Sequence, residues 1–436
     1  MEEALAAADL AWLLSAMALV LLMFPGLALF YGGMASGRNI LNIAMMVMGS
    51  MAVGGLAYIL VGHSLVVGNS WGGLGLIGNP LEYLGGNQFL TDDGANGTYW
   101  AGFYLLFATI SIAILASGAM GRMKFGSWLV FAVVWMLLVY SPMAHWVFTF
   151  SDPEAGYVGG WLRNVMGLHD FAGGTAVHMN AGVSSLALAL VLGPRLKTDE
   201  KPHNLPLAFL GAGILFFGWF GFNGGTAATA GFLAEFVFLT TLLAGLGGIL
   251  GFLVVERLRD KRVTALGMCT GMIAGLVGIT PVADAVNPVG AVAVGFLASA
   301  AVAWAITWKN KHKIDDSLDA FAVHGIGGIA GSLYVILLGV ESAPAGVSGV
   351  LLGGDWSLVW REIVAILVSV AYPFVVTYLI AKVMDMIHPI RVDPRIEKLG
   401  LDRSLHAETA YTRDEDYEEP ADPSTATHVD PEKITT

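Results

Sequence analysis

Two stretches of this sequence hold residues that could do chemistry: DFAGGTAVHMNAG at 170–182 and DAFAVHGIGGIAG at 319–331. Each sets an aspartate near its start, a histidine one or two turns further on, and glycines around the histidine. Imidazole changes charge close to neutral pH, so it can relay protons, bind metals or act as a hydrogen-bonding surface. Two neutral rings in contact share one hydrogen bond and still offer a donor or an acceptor to a small polar molecule. The aspartates have a plainer use as well, because a carboxylate at a helix start accepts from the free amides of the first turn. Two histidines and an aspartate also suggest a metal transporter or an intramembrane metalloenzyme. Metal sites want three or four ligands, however, and the sequence has no HExxH, CxxC or paired-Glu motif. Cys269 is the single cysteine and forms no internal disulfide.

The elements that must position these residues are set by composition. The chain is 56% hydrophobic and 13% charged, with 56 glycines, and its mean hydropathy is +0.69. A soluble domain is about one quarter charged. The sequence therefore reads as an all-α integral membrane protein, because a lipid-exposed backbone must satisfy its polar groups internally. Eleven apolar runs fit as transmembrane helices, at 8–31, 39–67, 99–121, 126–148, 171–193, 205–222, 229–255, 263–281, 288–308, 319–340 and 357–387.

Loop charge orients them. Taken alternately, one set of loops together with the C-terminal region holds twenty of the twenty-two Lys and Arg residues, and the other set holds only Arg163 and Arg361. The positive-inside rule then puts the N-terminus outside and the C-terminus inside, which an odd number of spans also requires. The start, MEEALAAADLAW, lacks the basic n-region of a signal peptide, so the first run is expected to be retained. Residues 1–389 form the transmembrane domain. Residues 390–436 form a cytoplasmic acidic tail; its part from 393 onward carries twelve Asp or Glu against five Lys or Arg and is expected to be extended or disordered.

The two histidine motifs lie on the fifth and tenth spans. Five helices, five more and one long final helix, with matching polar residues on the matching element of each half, indicate an inverted-topology repeat. In such folds the site lies near the midplane where the halves meet, so His178 and His324 are expected to face one another. Gly174 and Gly182 flank His178 on one helical face, with Gly328 and Gly331 beyond His324. Small residues there let the helices approach closely and leave little room for a hydrated ion.

Six motifs carry a resemblance: GLALFYGGMASGRN (26–39), DFAGGTAVHMNAG (170–182), KPHNLP (201–206), GWFGFNGG (218–225), AGLVGITP (274–281) and DAFAVHG (319–325). In this order they resemble the ammonium transporter family (Amt/Mep/Rh) over nearly the whole chain, in its prokaryotic Amt form. The resemblance implies a multi-pass protein of the cell membrane, a homotrimer with one narrow pore per subunit, an outer vestibule that recruits ammonium, a phenylalanine gate and a hydrophobic conduit lined by paired histidines. It implies that His178 and His324 are that pair, that Asp170 lies beneath the vestibule with Asp319 as its repeat counterpart, and that Phe107 and Phe222 are the gate, with Phe103 and Trp219 nearby. Thr226 stands where many members have serine and keeps the hydroxyl. Phe148 stands where many have tryptophan and gives a weaker cation–π face. Residues 390–411 resemble the family's regulatory segment, which implies contact with a neighbouring subunit's loops and inhibition by a PII-type signalling protein.

The chemistry can be argued without the family. Ammonium and potassium share charge and similar size, so a wet cation pore separates them poorly. A proton offers the distinction. An ion held by Phe107, Phe148 and Thr226 could lose a proton and proceed as neutral ammonia past the histidines, whereas potassium has no neutral form. An ionised Asp170 in the membrane costs about 2.5–3.5 kcal/mol on insertion scales, so it must be satisfied by donors; it is expected to hold the vestibule backbone and make the local potential negative without touching the cation. Asp319 is expected to act as a cap.

Two alternatives share the fold: a neutral-gas channel of the Rh type, and a sensor that signals through its tail. No enzyme activity and no cofactor are expected. His63 and His145, near span ends, are expected to be hydrated, and His203, His312, His388, His406 and His428 to lie in loops or tail. Glu235 has no evident partner in the sequence.

Overall fold

The computed structural model describes residues 2–90, 97–197 and 201–411. Among these residues there is no β-strand beyond isolated bridges, and ten helices are long and apolar enough to cross a membrane. In chain order, with one shorter helix at its place, they are α1 (Glu3–Met34), α2 (Ile40–Val67), α3 (Gly97–Gly118), α4 (Phe125–Phe148), α5 (Gly174–Leu192), α6 (Leu205–Thr226), α7 (Phe232–Asp260), α8 (Ala265–Ile279), α9 (Pro288–Lys311), α10 (Phe321–Leu338) and α11 (Ser357–Ile387). Ten of the expected runs are therefore present as long helices. The run expected at 263–281 is only the fifteen-residue α8, because the chain turns at Thr280 and Pro281. At 1.5 Å per residue such a helix is about 22 Å long, short of the roughly 30 Å apolar core of a bilayer. The protein is a multi-pass membrane protein.

Apolar side chains face both the interior and the lipid, so helix position is decided by small residues and polar contacts. α1 packs along α6, α7 against α8 and α9, and α5 against α10 and α11. Close approach of the two histidine-bearing elements occurs at Gly182, where an added Cβ would clash with the backbone nitrogen of Gly325, beside His324. The glycine at 182 thus brings the two histidine-bearing elements together, as the spacing of small residues predicts. Both elements open with a six-residue π-helical segment, Gly174–Met179 and Phe321–Ile326, a wide-turn geometry that recurs at functional sites.

This packing corrects the expectations for His63 and His145 and for the tail, and it places Glu235. His145 is buried, with Nδ1 2.7 Å from the Val66 carbonyl, and His63 is buried beside Tyr58 and Phe89; neither is a hydrated interfacial side chain, because a long connection between α2 and α3 folds over that end of the bundle. Glu235 is exposed in the first turn of α7, whose start at Phe232 lies three residues later than expected, and a carboxylate there is favoured by the helix dipole. The region after 393 is not all extended: Pro394–Leu399 (α12) and Leu401–His406 (α13) are helical. Asp402 accepts from the amides of Leu41 and Asn42 at 3.0 and 2.7 Å, and Arg391 donates to the carbonyls of Leu192 and Pro194. The rest of the acidic tail, with His428, lies outside the described residues.

Candidate functional site

A cavity of about 710 Å³ opens at one end of the bundle, lined by Phe103, Phe107, Phe148 and Thr226 together with Tyr104 and Arg163. Phe148 stacks on Tyr104 with centroids 5.8 Å apart and meets Phe107 edge-on at 6.2 Å. Thr226 donates its hydroxyl to the Phe222 carbonyl at 3.0 Å, which leaves the hydroxyl oxygen free to accept from a donor in the cavity. Phe107, Phe148 and the Thr226 hydroxyl thus all line this mouth. A cation that can donate hydrogen bonds gains from the rings and from the hydroxyl.

The cavity floor is closed by aromatic packing. Phe107 from α3 and Phe222 from α6 stack face to face with centroids 4.0 Å apart and planes 6° from parallel, and Phe103 covers Phe107 at 4.5 Å. Beneath them His178 lies 5.7 Å from Phe222 and 5.4 Å from Trp219. Trp219 is fixed by an indole hydrogen bond to the Thr280 hydroxyl at 3.0 Å. The space under the stack, bounded by His178, His324, Trp219, Phe222, Ile110 and Ile114, holds only about 20 Å³, roughly the room for a single small molecule. No formal charge lines it.

The expectation that the histidines face each other is met. Their Nδ1 atoms are 3.2 Å apart, and their rings lie 5.2 Å apart and 29° from parallel. Nδ1–H of one ring therefore donates to Nδ1 of the other, and His178 Nε2 is left without a partner. On the far side, a second cavity of about 740 Å³ is lined by Arg195, Lys309, Asp315, Asp316 and Asp319.

Asp170 is buried and does not line the 710 Å³ cavity. One carboxylate oxygen accepts from the amides of Gly173 and Gly174, each at 2.8 Å, and the other from the amide and hydroxyl of Thr175 at 2.8 and 2.5 Å. Gly173 holds φ at +109°, which lets the chain double back over the carboxylate. Asp170 is thus a cap for the start of α5.

Asp319 is not the equivalent cap. That place belongs to Asp316, which accepts from the Ser117 and Ser185 hydroxyls at 2.5 and 2.8 Å and from the Phe321 amide at 2.6 Å. Asp319 instead has φ +64° and pairs with Lys309 at 2.6 Å. The signal was available, since His178 follows Asp170 by eight residues and His324 follows Asp316 by eight, with the positive-φ residue three after the aspartate in each. Asp319 is the positional counterpart of Gly173.

Sequence reasoning also missed His169, Asp284, Glu362 and Arg163. His169 Nε2 is 3.0 Å from Asp284 Oδ1 across 115 residues of sequence, a separation that no local pattern reveals. Among the described residues no group of three or more His, Cys, Asp or Glu is arranged to hold a metal ion.

Residues 11–411 match the family model described as Ammonium Transporter Family. A curated ammonium transporter of Corynebacterium glutamicum is 58% identical over 403 residues, covering 92% of this chain and 89% of that one. One from Bacillus subtilis is 40% identical over 404 residues, with coverage of 90% and 96%. Among solved structures, a protein described as a sensor Amt protein superimposes with TM-score 0.85 at 28% identity, covering 94% of this chain and 100% of that one. Mep2 of Saccharomyces cerevisiae gives 0.80 at 31% identity, with coverage of 89% and 88%.

Proposed function

The chain belongs to the ammonium transporter family, and on that premise we propose that it recruits ammonium at the 710 Å³ cavity, deprotonates it there and passes ammonia between His178 and His324 with net transfer of a proton. The observation that supports this most is the order of surfaces along one path: aromatic faces with a hydroxyl, then the Phe107–Phe222 stack, then a charge-free space of about 20 Å³ edged by two hydrogen-bonded imidazoles. A cation gains at the first surface and loses its solvation at the last, whereas ammonia fits the last by size and by hydrogen bonding.

In this reading Phe107, Phe148 and Thr226 bind the ion, Phe103, Phe107 and Phe222 gate it, Trp219 holds the first histidine's surroundings, and Asp170 acts through the backbone it caps. The halves form an inverted repeat of five plus five helices with α8 counted as a crossing, followed by α11. The N-terminus is outside, and the loops that touch α12 and α13 are cytoplasmic. Three chains assemble as a trimer. Residues 390–436 form a regulatory segment open to a PII-type protein, and the contacts of Asp402 and Arg391 with cytoplasmic loops support a tail that reports to the pore.

The test is the current evoked by an ammonium jump in proteoliposomes, with potassium as control, for native protein, His178→Ala and His324→Ala. A saturable ammonium current that is absent with potassium, and selectivity lost in the variants, is the expected result. Raised ammonia flux without current would make the protein a neutral-gas channel instead. Pull-down of a PII-type protein with and without residues 390–436 tests the tail.

A further inference from the structure

Three carboxylate or imidazole side chains outside the recruited set meet in the wall of the outer cavity. His169 precedes α5, Asp284 lies in the turn after α8, and Glu362 lies in α11. The His169 amide donates to Glu362 Oε1 at 2.5 Å, and its ring meets Asp284 at 3.0 Å. Glu362 is wholly buried and its Oε2 has no partner. The imidazole and the Asp284 carboxylate, by contrast, are 13% and 12% exposed and both line the cavity.

The remaining formal charge in that lining is Arg163. Its guanidinium is committed to backbone: Nε donates to the Val147 carbonyl at 3.0 Å, Nη1 to that of Leu168 at 3.2 Å, and Nη2 to that of Asp170 at 2.6 Å. Asp284 is therefore the one carboxylate, among the described residues, that presents negative charge to this cavity.

We propose that Asp284 attracts the ammonium cation into the vestibule and that His169 competes with the cation for it. The proposal rests on the ammonium reading above and adds a charged residue to it. Phe107, Phe148 and Thr226 are neutral and act only at contact. A carboxylate in a concave, apolar-walled cavity acts over a longer distance, because low-dielectric walls focus its field. When His169 is neutral, the charge of Asp284 is available to a cation in the cavity. When His169 is protonated, the wall gains a positive charge that closes the ion pair and repels the cation.

Four groups face the His169 ring or its backbone: Asp284, Glu362 from α11, Arg163 from the loop, and Asp170 next in sequence. Burial disfavours the charged ring, but Asp284 and then Glu362 outweigh burial and the opposing Arg163, and the ring's pKa lies above its ordinary 6.5. Competition therefore weakens as pH rises through that raised value.

The experiment measures half-saturating ammonium for the full chain in two ways, by ammonium-evoked current in proteoliposomes and by calorimetric titration of purified protein with ammonium chloride, over a pH series that starts below 6.5 and extends well above it, and at two ionic strengths. For native protein, half-saturation falls as pH rises. Asp284→Asn raises it roughly three- to ten-fold on the alkaline side, as expected for one nearby charge in a partly screened cavity, with maximal current retained and ionic-strength dependence reduced. Asp284→Glu keeps native behaviour, which separates charge from folding. His169→Gln keeps a donor to Asp284 but loses the pH dependence. Native half-saturation in Asp284→Asn, or native pH dependence in His169→Gln, overturns the proposal. A native protein that binds ammonium without current removes the transport reading alone, since the titrations still decide the role of Asp284; a native protein that binds none removes both.

Discussion

Asp170…His178 and Asp316…His324 are one local motif set in two surroundings. Both aspartates accept a backbone amide five residues on, both precede a π-helical segment, and both histidines follow by eight residues. The Asp170 carboxylate is satisfied wholly by its own loop, through Gly173, Gly174 and Thr175. That of Asp316 is held by Ser117 from α3 and Ser185 from α5. Its neighbour Asp315 pairs with Arg122 and Arg195 at 3.3 and 2.9 Å. The Asp170 motif is thus a self-contained cap, and the Asp316 motif is a junction tied to loops that the tail also touches. A shared spacing leaves open whether a site is isolated or coupled; the partners decide that.

The largest effect should separate the glycines that seat the two motifs. Gly182→Ala would drive a methyl into the Gly325 backbone, which cannot yield, whereas a methyl at Gly328 would meet the Gly174 carbonyl at 2.9 Å and the flexible Met179 side chain at 3.1 Å. Overpacking costs about 1–3 kcal/mol, so Gly182→Ala should lower the detergent Tm and abolish current, with Gly328→Ala milder. Equal effects would mean the halves are not in backbone contact.

Next come the caps. In Asp170→Asn an amide NH₂ must face backbone N–H donors whichever way it turns, at a cost of about 1–3 kcal/mol. In Asp316→Asn the NH₂ can face the two serine hydroxyls, which reverse and accept, while its oxygen keeps the Phe321 amide. Tm and current should therefore fall for Asp170→Asn and change little for Asp316→Asn. Matching losses would break the distinction between a closed cap and an adaptable junction.

Coupling predicts a smaller difference. Arg391→Ala frees the Leu192 and Pro194 carbonyls and Glu397, so maximal current should change by roughly two-fold or more with half-saturating ammonium unchanged. A shift in half-saturation alone would tie the tail to the Asp170 motif instead. The smallest effect is expected at the mouth: Phe148→Trp strengthens the cation–π face by about 0.5–1 kcal/mol, lowering half-saturation roughly two- to five-fold with selectivity retained.

The legible part of the site was the part written in short segments. His178 and His324 were visible because each sits in a glycine-rich polar interruption of an apolar helix, whereas Phe107, Phe148, Phe222 and Thr226 were named only through what the resemblance to a known family implies. Asp316 was legible too, because it precedes His324 by the same eight residues that separate Asp170 from His178, whereas Asp319 is merely nearer the helix start. His169, Asp284 and Glu362 were illegible: each is a single polar residue near a span end, and their meeting depends on how three distant elements cross.

The sequence by itself determined that the chain lives in a membrane, where most of its helices lie, which family it joins and which histidines to watch, because hydropathy, glycine spacing and motif order are properties of neighbouring residues. Only the tertiary structure decided that the imidazoles share a hydrogen bond, that Asp170 is consumed by its own loop, and that a histidine and a carboxylate 115 residues apart form a charged wall. Hydrogen bonds and ion pairs act over a few ångströms, and in a bundle whose interior and lipid faces are both apolar, the small residues and polar contacts that bring helices together fix which groups come within that distance.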